Sequence, residues 1–243
     1  MDQMDQMGQN KNLIPLSIII AGVIVAGAIL YTRAPAPATT GTQQQQAAAS
    51  AVPTQKPVNI KDVKIDGEPF VGDANAPVTI AYWSDYQCPF CKQFELNTLP
   101  TLMNNYVNGG KVKVVFKEFA FLGNDSIAAA EYARAVWDLY PKQFFAWREA
   151  MFKAQDAEGD TGFGNEDTIL KLSATIPGID ATKLKAQVAS KKVAYDAANA
   201  ADKAEGTAMG ISGTPGFVLG TQTISGAQPV TTFTAAIDAL LKK

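Results

Sequence analysis

The sequence predicts an α/β domain in which a long helical segment separates two groups of strands. Two observations carry this. Pro77 to Ser84 (PVTIAYWS) is apolar and β-branched, as a buried strand is, and Lys111 to Phe119 (KVKVVFKEF) alternates with period two. Between Asn124 and about Gly210 the chain is almost wholly helical in pattern, before GFVLG and TQTIS (216–225) read as a hairpin. The order is β-α-β, helices, then β-β-α. With 243 residues, 47% of them apolar, the chain has enough material for a core.

The helix joining the first two strands runs from about Cys88 to Tyr106, with Leu99, Leu102, Met103 and Tyr106 on one face and a kink expected at Pro100. Gly109-Gly110 ends it. Asp125 or Ser126 is expected to cap the next helix, and Phe144, Trp147, Met151 and Phe152 form the inward stripe of the one after. Segments 165–176 and 180–209 read as further helices with lysines on their solvated faces. The last helix turns Val230, Phe233, Ile237 and Leu240 inward. Asp156 to Asp167 imitates a calcium loop, but Thr161 stands where the sharp turn needs glycine and Asp167 where a bidentate glutamate belongs, so it reads as a polar loop.

The N-terminal part is of another kind. After a 1–12 tail, residues 13–31 (LIPLSIIIAGVIVAGAILY) hold no charge over about the ~20 residues a membrane-spanning helix needs. The run is longer than the apolar region of a cleaved signal, and Pro37 would block cleavage after Ala34-Pro35-Ala36, so it reads as an uncleaved anchor. Lys11 and Arg33 balance under the positive-inside rule and leave its orientation open. Gly22 and Ala26 have the small-xxx-small spacing of helix pairs, or simply face lipid. Residues 32–57, rich in Ala, Pro, Gln and Thr, have nothing to build a core from and read as a disordered linker to a domain at 58–243.

Composition excludes much chemistry. A net charge of −2 offers no basic face for nucleic acid. The absence of histidine removes Ser-His-Asp and Cys-His catalysis and most zinc sites. The two cysteines, Cys88 and Cys91, are therefore the chemistry to explain. They supply half a zinc shell, which speaks against a metal. As a staple, a bridge over four residues restrains the unfolded chain little, by roughly 2 kcal/mol. As a redox pair their placement has a physical reason. Cys88 at a helix N-terminus, in an exposed position, feels the partial positive charge of unpaired N–H groups, which lowers its pKa. Cys91 lies one turn on, deeper and on the same face, and Pro89 suits the first turn. Far along the chain, Gly213-Thr214-Pro215-Gly216 precedes a strand, where Pro215 is a candidate for a cis bond.

These stretches together (GDANAPVTI, WSDYQCPFCKQFE, VVFKEF and GTPGFVLG) resemble the DsbA-like branch of the thioredoxin superfamily over residues 58–243. The resemblance implies a thioredoxin-like fold with an inserted helical subdomain at about 124–210, preceded here by a single transmembrane helix and a disordered linker. It implies a thiol-disulfide oxidoreductase acting outside the cytoplasmic membrane, with Cys88 and Cys91 as a redox-active disulfide and no other cofactor. Pro215 is then cis and faces the pair, with Thr214 bonding the substrate backbone. Partners follow: exported proteins with cysteines as substrates and a membrane protein as redox partner, with no metal and no nucleic acid.

Two departures matter. Relatives often carry an acid six positions before the first cysteine, and this chain has Tyr82, which leaves Asp85, Lys117 or Glu118 to relay protons to Cys91. Phe90 stands where strongly oxidising relatives have histidine, so a milder oxidant is expected. A reductase or isomerase of the same fold, and a tethered non-catalytic binding module, are the competing readings.

Overall fold

The structure, a computed structural model, describes residues 58–156 and 162–242. The expected tail, anchor and linker, and residues 157–161 of the calcium-like loop, lie outside the described residues. Among the described residues no helix is long and apolar enough to cross a membrane.

A five-stranded sheet forms the centre, in the order β1-β3-β2-β4-β5. Strand β2 (Val78–Ser84) and β3 (Val112–Glu118) run parallel, in a register that sets Tyr82 beside Phe116 and Ser84 beside Glu118. Strand β4 (Gly216–Leu219) lies antiparallel to β2 and makes a hairpin with β5 (Gln222–Ser225). The sequence pattern missed β1 (Phe70–Val71), a two-residue edge strand antiparallel to β3 and too short to show any period.

The helix after β2 is less regular than expected. An α-helical turn α1 (Pro89–Gln93) passes into a π-helical stretch (Phe94–Thr98), then α2 (Leu99–Leu102) and a second π-helical stretch (Met103–Val107). Pro100 has no N–H to offer, and the disturbance expected as a kink takes the form of these wide turns. Leu99 N–H reaches back to Phe94 rather than Glu95.

Four helices follow: α3 (Asn124–Leu139), α4 (Phe144–Ala154), α5 (Glu166–Ser173) and the long α6 (Ala181–Ala208). The cap expected at Asp125 or Ser126 is corrected. Gly123, with φ +95°, holds the N-cap position, and the Ser126 hydroxyl is drawn to Asp85. The chain closes with α7 (Val230–Leu241), whose Phe233 and Ile237 are fully buried.

Alternation along the strands sorts the core into two faces. Ile80, Tyr82, Val114, Phe116, Phe217 and Leu219 pack with the helices that carry the cysteines and with α4. Ala81, Trp83 and Val218 point the other way, with Phe119 and Ile211. On that second face Trp83 donates from Nε1 to the Asp202 carbonyl at 2.8 Å. A Cβ on Gly206 would stand 2.7 Å from the same nitrogen, so a glycine lets α6 approach the indole. Beside it the Lys117 ammonium meets Asp202 (2.5 Å), Glu68 (3.1 Å) and Glu205 (3.2 Å), and Arg134 pairs with Glu68 and Asp202.

Candidate active site

The cysteines sit where β2 hands the chain to α1. Cys88 is the N-cap residue, extended at φ −78° and ψ 119°, and Pro89 opens the helix without losing a bond. Both sulfurs are free thiols. The exposed position expected for Cys88 is corrected: the residue is only 4% exposed, because the loop before β4 folds over it. Its Sγ donates to the Thr214 carbonyl at 3.3 Å. The Thr214–Pro215 bond is cis. Cys91 is fully buried, while Phe90 between them stands 61% exposed.

The environments of the two thiols differ in the direction that matters. Cys88 is lowered from an ordinary 9.0 to about 6, first by the Cys91 thiol donating to it, against the cost of burial. The Thr214 side chain and the N–H groups of Cys91 and Phe90 add to the effect. Cys91 is pushed well up, by burial first and then by its bond to Cys88. Ionisation is thus directed to Cys88, and Cys91 is the sulfur that holds its proton.

The surrounding loop is held from several sides. Gln155, at the end of α4, donates from Nε2 to the carbonyls of Tyr86 (2.6 Å) and Cys88 (3.1 Å), and Lys92 Nζ returns to the Gln155 carbonyl at 2.6 Å. Gln87 Nε2 reaches the Phe163 carbonyl at 3.0 Å. The helical segment therefore grips the cysteine turn through backbone oxygens.

The three residues considered for proton relay have different places. The Asp85 carboxylate is taken up by the N–H groups of Gln87, Phe121 and Leu122 and by the Ser126 hydroxyl at 2.5 Å, so it ties loops together. Lys117 lies on the other face of the sheet, committed to its three carboxylates. Glu118 is buried with one oxygen unpartnered, and burial pushes it up to about 8.

Sequence reasoning passed over a buried group on the Cys91 side. Glu95, one turn beyond Cys91, pairs with Arg148 at 2.7 Å, both nearly or wholly inaccessible. Arg148 also donates to Tyr86 Oη (3.0 Å) and Ser84 Oγ (2.8 Å), and its guanidinium lies 4.3 Å from the Phe116 ring centre. A signal existed: position 148 falls within the apolar stripe of α4, where a charge demands a buried partner. The Tyr82 ring, stacked on Phe217 at 4.7 Å, is fully buried in the same core cluster as Cys91.

Comparison with known proteins bears on the family and the fold. The thioredoxin family profile, described as "Thioredoxin", matches residues 64–239. The chain belongs to the thioredoxin family. Within this family, "Disulfide bond formation protein D" of Bacillus subtilis is 35% identical over 91 residues, 37% of this chain and 41% of that protein. "Probable disulfide bond formation protein D" of Bacillus anthracis is 25% identical over 135 residues, 56% of this chain. The match spans 62% of that relative's length. Among solved structures, oxidised BdbD from Bacillus subtilis superposes with a TM-score of 0.68 at 26% identity, over 74% of this chain and 96% of that one. These relatives support a DsbA-like thioredoxin fold with a helical insertion for this chain.

Proposed function

We propose that this protein is a thiol-disulfide oxidoreductase that forms disulfides in exported proteins, tethered to the membrane by residues 13–31 with its domain on the extracytoplasmic side. The observation that carries the reading is the pairing of a Cys88 thiol at about 6 with a fully buried Cys91 beneath the Thr214 carbonyl. An easily ionised, shallower sulfur and a protonated, deeper one are what directional exchange requires. The names of the relatives in Bacillus support the same direction of reaction.

In the oxidised enzyme Cys88 and Cys91 share a disulfide. A substrate thiolate attacks Cys88 Sγ, forming a mixed disulfide, and Cys91 leaves with the electron pair and takes up a proton. A second substrate thiolate attacks the substrate sulfur of that mixed disulfide. Cys88 departs as thiolate, the substrate leaves oxidised, and the enzyme has gained two electrons. A membrane redox partner then reoxidises the pair. The Thr214 backbone, already bonded to Cys88, is the natural edge for an extended substrate.

Phe90 supports a milder oxidant, since it brings no cation to the thiolate, and the same residue favours a disulfide reductase as the second reading. Redox equilibration of the full chain against a glutathione series, read by thiol alkylation, separates them. A potential well above thioredoxin's value of about −270 mV supports the oxidase. A potential at or below it moves the assignment to reductase. A pair that resists strong reductants in the folded state defeats both.

A further inference from the structure

The end of α4 meets the redox loop with two side chains. Phe152 stacks on the Tyr86 ring at 5.0 Å. Gln155, three residues on and itself buried, turns its amide to the main chain of the same loop. Its Nε2 donates to the Tyr86 carbonyl at 2.6 Å and to the Cys88 carbonyl at 3.1 Å. A glutamine amide carries two N–H donors, so these two bonds use the nitrogen fully. The Cys88 carbonyl also accepts the first bond of the helix, from the Lys92 N–H at 3.1 Å. Lys92 then closes the circle, its Nζ donating to the Gln155 carbonyl at 2.6 Å.

The direction of a carbonyl fixes the ψ of its residue, and for an N-cap residue it fixes where the side chain stands against the helix. Cys88 holds ψ 119°, and its Sγ meets the Thr214 carbonyl at 3.3 Å. Turning the Cys88 peptide would carry the sulfur away from that contact. It would also break the bonds from Lys92 N–H and from Gln155. The neighbouring amide is engaged elsewhere: Gln87 donates its Nε2 to the Phe163 carbonyl at 3.0 Å.

We propose that Gln155 is the positioning residue for Cys88, its amide bridge locking the peptide of the reactive cysteine so that the sulfur stays beneath the Thr214 carbonyl and at the start of the helix for exchange. The helical segment thereby sets the reactivity of a sulfur that the sheet delivers. Cys91 from α1 and Thr214 from the loop before β4 bear on the same sulfur. The Lys92 ammonium is bonded to the main chain of residue 155, and a change of the side chain there leaves that bond in place.

The inference rests on the oxidoreductase reading and is tested separately from it. Gln155→Met keeps the length of the side chain and has no donor. The reduced full chain, wild type and variant, is alkylated across a pH series, and both are equilibrated with glutathione mixtures. The wild-type midpoint near 6 should rise by about one pH unit in the variant, so that at about pH 5 Cys88 reacts about tenfold more slowly, the worth of one or two hydrogen bonds. At about pH 8 the potential should fall by about 30 mV, which is tenfold in the exchange constant, and the two potentials should converge below both midpoints. A purely structural role would lower the urea midpoint and leave both pH profiles unmoved. An alkylation midpoint that stays at the wild-type value, or a potential difference that does not change with pH, overturns the proposal and leaves the oxidoreductase intact. If Gln155→Met does not fold, the wild type decides. In spectra of the reduced full chain labelled with 15N-glutamine, the Gln155 side-chain amide should shift with the midpoint of Cys88 alkylation, and an amide that does not follow it overturns the proposal. A wild type in which no glutathione mixture forms the Cys88–Cys91 disulfide overturns both.

Discussion

The Cys88 sulfur and the Thr214 carbonyl oxygen stand 3.3 Å apart across 126 residues of sequence. The contact joins the redox loop to the loop before β4, and it covers a thiol that would otherwise open to solvent. Reactivity at Cys88 therefore depends on ionisation in a partly enclosed setting.

Alkylation of the reduced protein should show this. The rate at Cys88 is expected to rise with a midpoint near pH 6, and Cys88→Ser should remove the titration. Because the folded pKa lies below the ordinary 9.0, the thiolate stabilises the reduced form fully above pH 9. That stability is lost as pH falls through about 6. The redox potential should accordingly change slope near pH 6, from about 59 mV per pH unit below it to about 30 mV above, as two protons per two electrons become one. A single slope from pH 5 to 8 would contradict the lowered pKa.

Phe90→His places a cation beside the thiolate at a position 61% exposed. The Cys88 pKa should fall further, and the potential should rise by tens of millivolts, since about 30 mV corresponds to 1.4 kcal/mol for this couple. The effect should be strongest below the imidazole's own pKa, near about 6.5. Stability against urea should change by less than about 0.5 kcal/mol, as at other exposed positions.

Lys117→Met tests the ion cluster on the far face. Lys117 is 2% exposed and Asp202 3%, so the change leaves buried carboxylates without one of their counter-charges. Arg134 remains paired to Asp202 and Glu68 and limits the damage. A loss of roughly 3 kcal/mol in urea unfolding is expected, at the lower end for a broken buried pair. The alkylation midpoint of Cys88 should stay where it was.

Gly206→Ala sets two effects against each other. Alanine gains up to about 1 kcal/mol in helix propensity. Its Cβ, however, would lie 2.7 Å from Trp83 Nε1, which is fixed by its bond to the Asp202 carbonyl. Overpacking costs about 1–3 kcal/mol, so a net loss is expected, seen as a lower melting temperature. An unchanged or higher value would mean that α6 yields easily.

Much of this site could be read from local pattern. The strand before Cys88, the helix that begins at Pro89, the hairpin at 216–225 and the loop around Pro215 each announce themselves within a few residues. What escaped was set by contacts between distant segments. Arg148 finds Glu95 across 53 residues, and Gln155 finds the Cys88 carbonyl across 67. No local period encodes such partners. Exposure of Cys88 was misjudged for the same reason, since its cover arrives from residue 214. The π-helical turns around Pro100 reflect how a missing N–H is absorbed, and composition does not reveal that.

The side of the sheet on which Trp83 lies has a practical consequence for optical work. Its indole faces α6, bonded to Asp202, while Tyr82 and Cys91 occupy the opposite face. Trp147, by contrast, meets Tyr86 edge-on at 5.6 Å, on the cysteine side. The emission of the intact protein therefore mixes a reporter of helix docking, a reporter of the thiol pocket and a third indole, Trp137, bonded to the Gly67 carbonyl. A spectrum that shifts on adding reductant acquires a molecular address only after each indole has been replaced in turn.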